Sequence, residues 1–255
     1  MMKKSQNTIR AKLPAAAAVG LLVLLWSLAS LMEWVPRYML PAPWEVAAAF
    51  ISEFPVLVEH SCITLQEAFY GLGIGVALGF FFAAAMDAWD WLCRALYPIL
   101  VLTQTVPTVA IAPLLVLWFG YEMAPKIILI VIVTFFPVTV GLLEGFRSVD
   151  GDAVNLLRSM GATKGQIFRC VKLPTALPRF FSGLRIAAAY AVVGAVISEW
   201  LGGFGGLGVY MTRVKQAFAF DKMFAVIFLI SAISLALMAL VDWVEKRCMP
   251  YREET

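Results

Sequence analysis

The side chains able to do chemistry are few and scattered. His60 is the single histidine of the chain, and the four cysteines, Cys62, Cys93, Cys170 and Cys248, stand alone with no CxxC pair. Neither a zinc site nor a disulfide framework follows from such spacing. His60 neighbours Ser61, but no acid stands at triad or metal-ligand spacing from it, so it reads as an interfacial residue and not as a base. Gly203, Gly205 and Gly208 spell GxGxxG, the pattern of a dinucleotide-binding turn. They follow a long apolar run and lack a βαβ context, so an external turn is the reading. A GxxxxGK[ST] phosphate loop is absent, so the chain itself binds neither ATP nor Mg.

The elements that must position these residues are set by composition. Of 255 residues, 62% are hydrophobic and 15% charged, and the mean hydropathy is +0.85. A soluble domain is nearer 45–50% apolar and about 25% charged, so there is too little polar material here to cover a core. The solvent is a lipid bilayer. The net charge of +3 comes from basic clusters between apolar runs, not from a stripe along one face, and nucleic-acid binding is not indicated.

Crossing a hydrocarbon core of ~30 Å takes about 20 helical residues. Runs of that kind lie near 13–32, 63–86, 95–118, 125–143, 179–200 and 223–243, which predicts an all-α integral membrane protein of about six transmembrane helices. The third carries Pro98, Pro107 and Pro113 and is expected to be discontinuous, which is tolerated where a broken helix lines a cavity. Its polar groups Thr103, Gln104, Thr105 and Thr108, with Pro107, are candidate pathway residues, against the plainer reading that threonines bond their own helix backbone. Glu199, at the end of the fifth run, could face the pathway, pair with a basic group, or contact a partner. Gly71, Gly75 and Gly79 share one face of the second run and predict close helix packing. Arg185, inside the fifth, is expected to snorkel to the membrane interface.

Lys and Arg concentrate in alternate connections: Lys3, Lys4, Arg10 and Lys12 before the first run, Arg94, then Arg147 to Arg179, then Lys246, Arg247 and Arg252. Arg37, Lys126, Arg213, Lys215 and Lys222 fall on the other side. The positive-inside rule then puts both termini in the cytoplasm of a multi-pass cell-membrane protein. Residues 1–12 and 244–255 are cytoplasmic tails around a membrane domain of 13–243. The first run has a basic leader and a small-x-small pair, Ser27 and Ala29, but is too long for a signal peptide and is expected to be retained. Residues 33–61 read as an extended start followed by a short amphipathic helix at the outer surface.

The segment 144–178 is the one long cytoplasmic connection. Asp150 or Asp152 can cap a helix with Ala153, Leu156, Leu157 and Met160 on one side, and Gly161 is placed to end it. Thr163 and Gln166 have capping-box spacing for a second helix, and Pro174 is expected to stop it. The apolar ridge either packs under the membrane domain or fits a groove on a partner.

The run from Asn155 through Gly161 and Ala162 to Phe168, Val171, Leu173 and Pro174 resembles the EAA loop of binding-protein-dependent ABC importer permeases. Gly161, Val171, Leu173 and Pro174 keep the family's spacing, while Asn155, Leu156 and Leu157 replace Glu-Ala-Ala. Leu40 to Val46, Pro113 to Gly120 and Glu199 to Gly202 are similar to the nitrate/sulfonate/taurine-type branch, and Glu144 to Asp150 with Met249-Pro250 to permeases for thiamine-precursor pyrimidines. The resemblance implies a non-catalytic subunit that pairs with a second copy of itself, with ATPase subunits that use ATP and Mg, and with an extracytoplasmic substrate-binding protein. Its cargo would be a sulfonate, nitrate, taurine or a pyrimidine. A self-sufficient channel or secondary transporter is the alternative. A coupled carrier calls for acids inside the spans, and the runs hold almost none before Asp242.

Overall fold

The structure is a computed structural model that describes residues 2–36 and 38–249. Arg37, Pro250 and the end of the C-terminal tail, including Arg252, lie outside the described residues. Every regular element among those described is helical. In chain order these are α1 (Met2–Leu31), α2 (Pro43–Ser52), α3 (Phe54–Ala88), α4 (Asp90–Thr105), α5 (Thr108–Phe119), α6 (Met123–Arg147), α7 (Gly151–Ser159), α8 (Lys164–Ile167), α9 (Leu173–Trp200), α10 (Leu207–Gln216) and α11 (Phe220–Cys248). A π-helical turn, Phe168–Lys172, joins α8 to α9.

Among the described residues, four helical stretches are long and apolar enough to cross a bilayer: α3, α6, the run Lys164–Trp200, and α11. The pair α4 and α5 makes one broken span bent by 97°. The break falls at Val106–Pro107, one of the three expected positions, whereas Pro98 and Pro113 are accommodated inside helices. In α1 the described apolar helix covers Ala17–Leu31.

The chain divides into two compact units. The smaller holds the chain up to Val58 and again from Met211 to Phe228. There Trp26 stacks on Phe224 and Phe228 and donates its indole N–H to the Pro41 carbonyl at 3.0 Å. The amphipathic helix expected in 33–61 is α2, opened by Pro43 and by Glu45, whose carboxylate accepts from the Ala42 N–H at 2.8 Å.

The larger unit runs from Glu59 to Tyr210 and resumes at Leu229. Its centre is the packing of α3, α6 and α9, which close on one another through small residues. A Cβ at Gly79 would lie 2.8 Å from Val138 Cγ1, and Cβ atoms at Gly71 and Gly75 would strike Ile130 and Thr134. On the other face of α6, a Cβ at Gly141 would fall 2.8 Å from the Arg179 carbonyl oxygen, and one at Gly145 2.7 Å from Ala176. With lipid outside there is little hydrophobic gain in helix association, so close backbone contact supplies the cohesion, and only glycine permits it. Phe146, Leu142, Leu143 and Met86 fill the core at one end.

Candidate functional site: a capped helix pair, a broken-span cleft and a buried charge network

The α7–α8 connection is built as its spacing predicts up to a point. Asp150 caps α7, its carboxylate accepting from the Asp152 N–H at 2.9 Å. Gly161 ends α7 at φ +82°, with the Ala162 N–H on the Leu157 carbonyl and the Gly161 N–H on that of Arg158, each at 3.0 Å. This is a Schellman closure, which a residue with a Cβ enters at a cost. Thr163 and Gln166 form the capping box, the Thr163 N–H donating to Gln166 Oε1 at 2.7 Å.

Pro174 does not stop the second helix. Lys164–Trp200 is one continuous helical run of 37 residues, with Pro174 at the start of α9. The π turn Phe168–Lys172 explains why. It shifts the hydrogen-bond register, so the proline falls in the first turn of the following α-helix, where a missing N–H costs little. The fifth apolar run therefore belongs to a helix that begins well before 179, and the loop is continuous with it.

The two halves of the loop differ in burial. Ile167 is buried and Phe168 packs on the buried Phe146, ring centroids 5.1 Å apart. Lys172 reaches Asp87 at the end of α3, with Nζ 2.8 Å from both carboxylate oxygens. No residue of α7 is buried: Leu156 is 62% and Met160 75% exposed, Asn155 is exposed, and Leu157 is half-buried.

Of the expected pathway residues, Gln104, Pro107 and Thr108 come together at the break between α4 and α5. Two adjoining clefts open there along α6 and α9. One of about 460 Å³ is lined by Gln104, Val140, Glu144, Arg179, Ser182 and Tyr190, and one of about 270 Å³ by Gln104, Pro107, Thr108, Val133, Tyr190 and Ile197, among others. Thr103 and Thr105 bond the carbonyls of Leu100 and Leu102 in their own helix, at 2.7 and 2.8 Å. Glu199 lines neither cleft.

Glu199 instead joins a network at the end of the larger unit remote from α7. It is 1% exposed and accepts from the Thr64 hydroxyl at 2.8 Å and from the Gly208 N–H. Thr64 in turn accepts from the Leu207 N–H at 2.8 Å, and His60 Nδ1 from the Gly206 N–H at 3.0 Å. Beneath them Lys126, 5% exposed, pairs with Glu67, 2% exposed, at 2.6 Å. His60 is thus buried and hydrogen-bonded, contrary to the interfacial reading. The glycine pattern is an internal turn: at the opening of α10 the Gly208 N–H is held by the Glu199 carboxylate, while the Leu207 and Gly206 N–H groups go to Thr64 and His60. Gly206 at φ +113° leaves no room for a Cβ against that carboxylate.

Arg185 does not snorkel alone. Its guanidinium pairs with Asp242 and Glu245 of α11 at 2.5 and 2.7 Å, which also neutralises the acid near the end of the last span. Cys62, Cys93, Cys170 and Cys248 are free thiols, and no metal-capable group of three His, Cys, Asp or Glu side chains comes together among the described residues.

Residues 75–249 match the family described as binding-protein-dependent transport system inner membrane component. The chain belongs to that family. Among curated relatives of this permease, the formylaminopyrimidine transport permease protein ThiX of Halalkalibacterium halodurans is 36% identical, over 92% of this chain and 94% of that protein. The riboflavin transport system permease protein RibX of Chloroflexus aurantiacus is 30% identical over 89% and 85%, and the taurine transport system permease protein TauC of Escherichia coli 30% over 92% and 87%. An amino acid ABC transporter structure superposes with TM-score 0.65 at 18% identity, covering 78% of this chain and 97% of that one, and the inward-facing MetNI methionine transporter with 0.60 at 18%, covering 85% and 97%. The fold is that of type I ABC importer permeases.

The permease is therefore a multi-pass transport subunit of the ABC importer class. What its sequence did not disclose is the charge network. Glu67 falls within the apolar run 63–86, which corrects the view that the spans hold almost no acid before Asp242. Lys126 opens the next-but-one span and was visible only as a basic residue of a connection. The available signal was an ionisable residue inside a span, and such residues mark function more often than surface charges do.

Proposed function

We propose that two copies of this permease form the translocation pathway of an ATP-driven importer, each with six spans and with both termini in the cytoplasm. The α7–α8 pair, from Asn155 through Gly161 and Ala162 to Phe168, Val171, Leu173 and Pro174, docks in a cleft on a separate ATPase that uses ATP and Mg. An extracytoplasmic binding protein delivers the cargo at the opposite end. The observation that carries this reading is the exposure of Leu156 and Met160 on a helix fixed at both ends by caps. Apolar side chains so presented need a partner groove. The continuity of α8, the π turn and α9 means that a push on the loop moves a membrane-spanning helix as a rigid body. The clefts at the α4–α5 break, lined by Gln104, Pro107 and Thr108, are the cargo route, with Thr103 and Thr105 flanking it. Relatives named for formylaminopyrimidine, riboflavin and taurine support a small polar organic cargo, with sulfonates and nitrate as further candidates.

The test uses Gly161→Asp. Nothing lies within 4 Å of a Cβ at this position, and Asp tolerates the left-handed region better than most residues, so the variant is expected to reach the membrane in normal amount. Affinity purification from native membranes in mild detergent is expected to recover an ATPase with the wild-type chain and to lose it with the variant, along with uptake. Normal uptake by Gly161→Asp would sink the coupling role, and recovery of the chain alone after crosslinking would favour a self-sufficient transporter.

A further inference from the structure

The network at the remote end of the larger unit ties four pieces of chain together. His60, Thr64 and Glu67 come from α3, Lys126 from α6, Glu199 from α9, and the amides of Gly206, Leu207 and Gly208 from the turn that opens α10. Its members are nine-tenths or more buried. Burying charges is costly, and apolar side chains of similar volume often hold a fold as well or better, so stability alone is a poor reason for four ionisable groups here. Nor is the arrangement a closed set. Glu67 Oε2 is buried and has no hydrogen-bond partner among the described residues, while Lys126 Nζ, with three protons to give, meets Glu67 Oε1 and lies against Gly203. Every amide of the turn from Gly206 to Gly208 is held by a side chain, and Gly202, Gly203 and Gly206 at φ between +113° and +146° leave the connector little freedom.

We infer that Glu199, with His60 and Thr64 beside it and the Glu67–Lys126 pair beneath, is a positioning site that locks the α9–α10 connector to α3 and α6. A load applied at this end of the permease is thereby delivered to α9, the helix that continues into the α7–α8 loop. The inference rests on the proposed function, since it takes the binding protein to act at this end. Glu199 touches neither cargo route nor ATPase. It acts by fixing the turn, and the clamp has two levels: the hydrogen bonds that Glu199, Thr64 and His60 accept from the amides of the turn, and the ion pair that bridges α3 and α6.

The experiment uses the assembled permease–ATPase complex in lipid vesicles with Mg-ATP, and reads the ratio of ATP hydrolysis with and without the binding protein as isolated from the native cell. Glu199→Ala is expected to lower that ratio about fivefold or more, the smallest loss that removing an allosteric coupling produces. Glu199→Gln, whose single amide oxygen can still accept from the Gly208 N–H but not also from Thr64, is expected to retain more of it than Glu199→Ala. The paired replacement Glu67→Leu with Lys126→Met removes both charges at once and is expected to assemble in wild-type yield with the ratio equally reduced. It also serves as the test if Glu199→Ala fails to assemble. A wild-type ratio in Glu199→Ala or in the paired variant overturns the inference, because a network that only stabilises the fold would leave stimulation untouched once the complex is formed. Absence of any ATPase from the wild-type assembly is a different failure: it removes the importer reading, and this inference with it.

Discussion

Gly75 and Gly183 carry the helix contacts of the larger unit without contributing a side chain. A Cβ at Gly75 would collide with the Thr134 hydroxyl, and one at Gly183 with the Pro137 carbonyl oxygen. Filling such a contact forces the helices apart, and overpacking costs about 1–3 kcal/mol. Gly75→Val and Gly183→Val are therefore expected to lower the melting temperature of the detergent-solubilised permease by several degrees, whereas Gly73→Val, where nothing lies within 4 Å of the Cβ, is expected to leave it unchanged. Equal melting curves for all three would contradict the packing. The spacing of Gly71, Gly75 and Gly79 made this contact legible in advance, because small residues at intervals of four share one face of a helix. Glu67 was not legible in the same way. A single acid inside an apolar run is a visible anomaly, but its partner Lys126 is far along the chain, and pairing between distant residues has no local signature.

At the level of elements, local rules located the α7–α8 loop well. Asp150, Gly161, Thr163 and Gln166 each occupy the cap position their chemistry favours, since caps depend on a few neighbouring residues. The rule failed at Pro174, where the chain goes on as helix after a five-residue π turn. Whether a proline breaks a helix depends on which hydrogen bond it forfeits, and the π turn, which packing against Phe146 and the Lys172–Asp87 pair accompanies, changes that register. The pair itself is testable. Lys172 is 25% and Asp87 11% exposed in their side chains, so neither charge is freely solvated. Lys172→Met is expected to destabilise the permease by about 1–2 kcal/mol in thermal unfolding, and adding Asp87→Asn is expected to recover part of that loss, as coupled neighbours do. Additive losses in the double variant would show that the two side chains do not act as a pair.

For the whole molecule, the proposed function turns on which end faces which compartment, because it places the ATPase and the binding protein at opposite ends. The proposed orientation puts the α7–α8 loop in the cytoplasm on the strength of the basic residues in the connections. Two native thiols mark the two ends of the larger unit. Cys170, in the π turn, is exposed beside the loop, and Cys62 is exposed in the part of α3 that holds His60 and Thr64. Variants that retain one cysteine each are expected to react differently with a membrane-impermeant maleimide added to intact cells stripped of their outer barriers. Cys62 should label from outside, and Cys170 only after the membrane is opened. Each variant is first checked for uptake, so that labelling reports the native arrangement. The reverse pattern would put the exposed Leu156 and Met160 on the side without ATP, and the coupling role of the α7–α8 pair would then fail along with the orientation, whatever the similarity of the fold to ABC importer permeases.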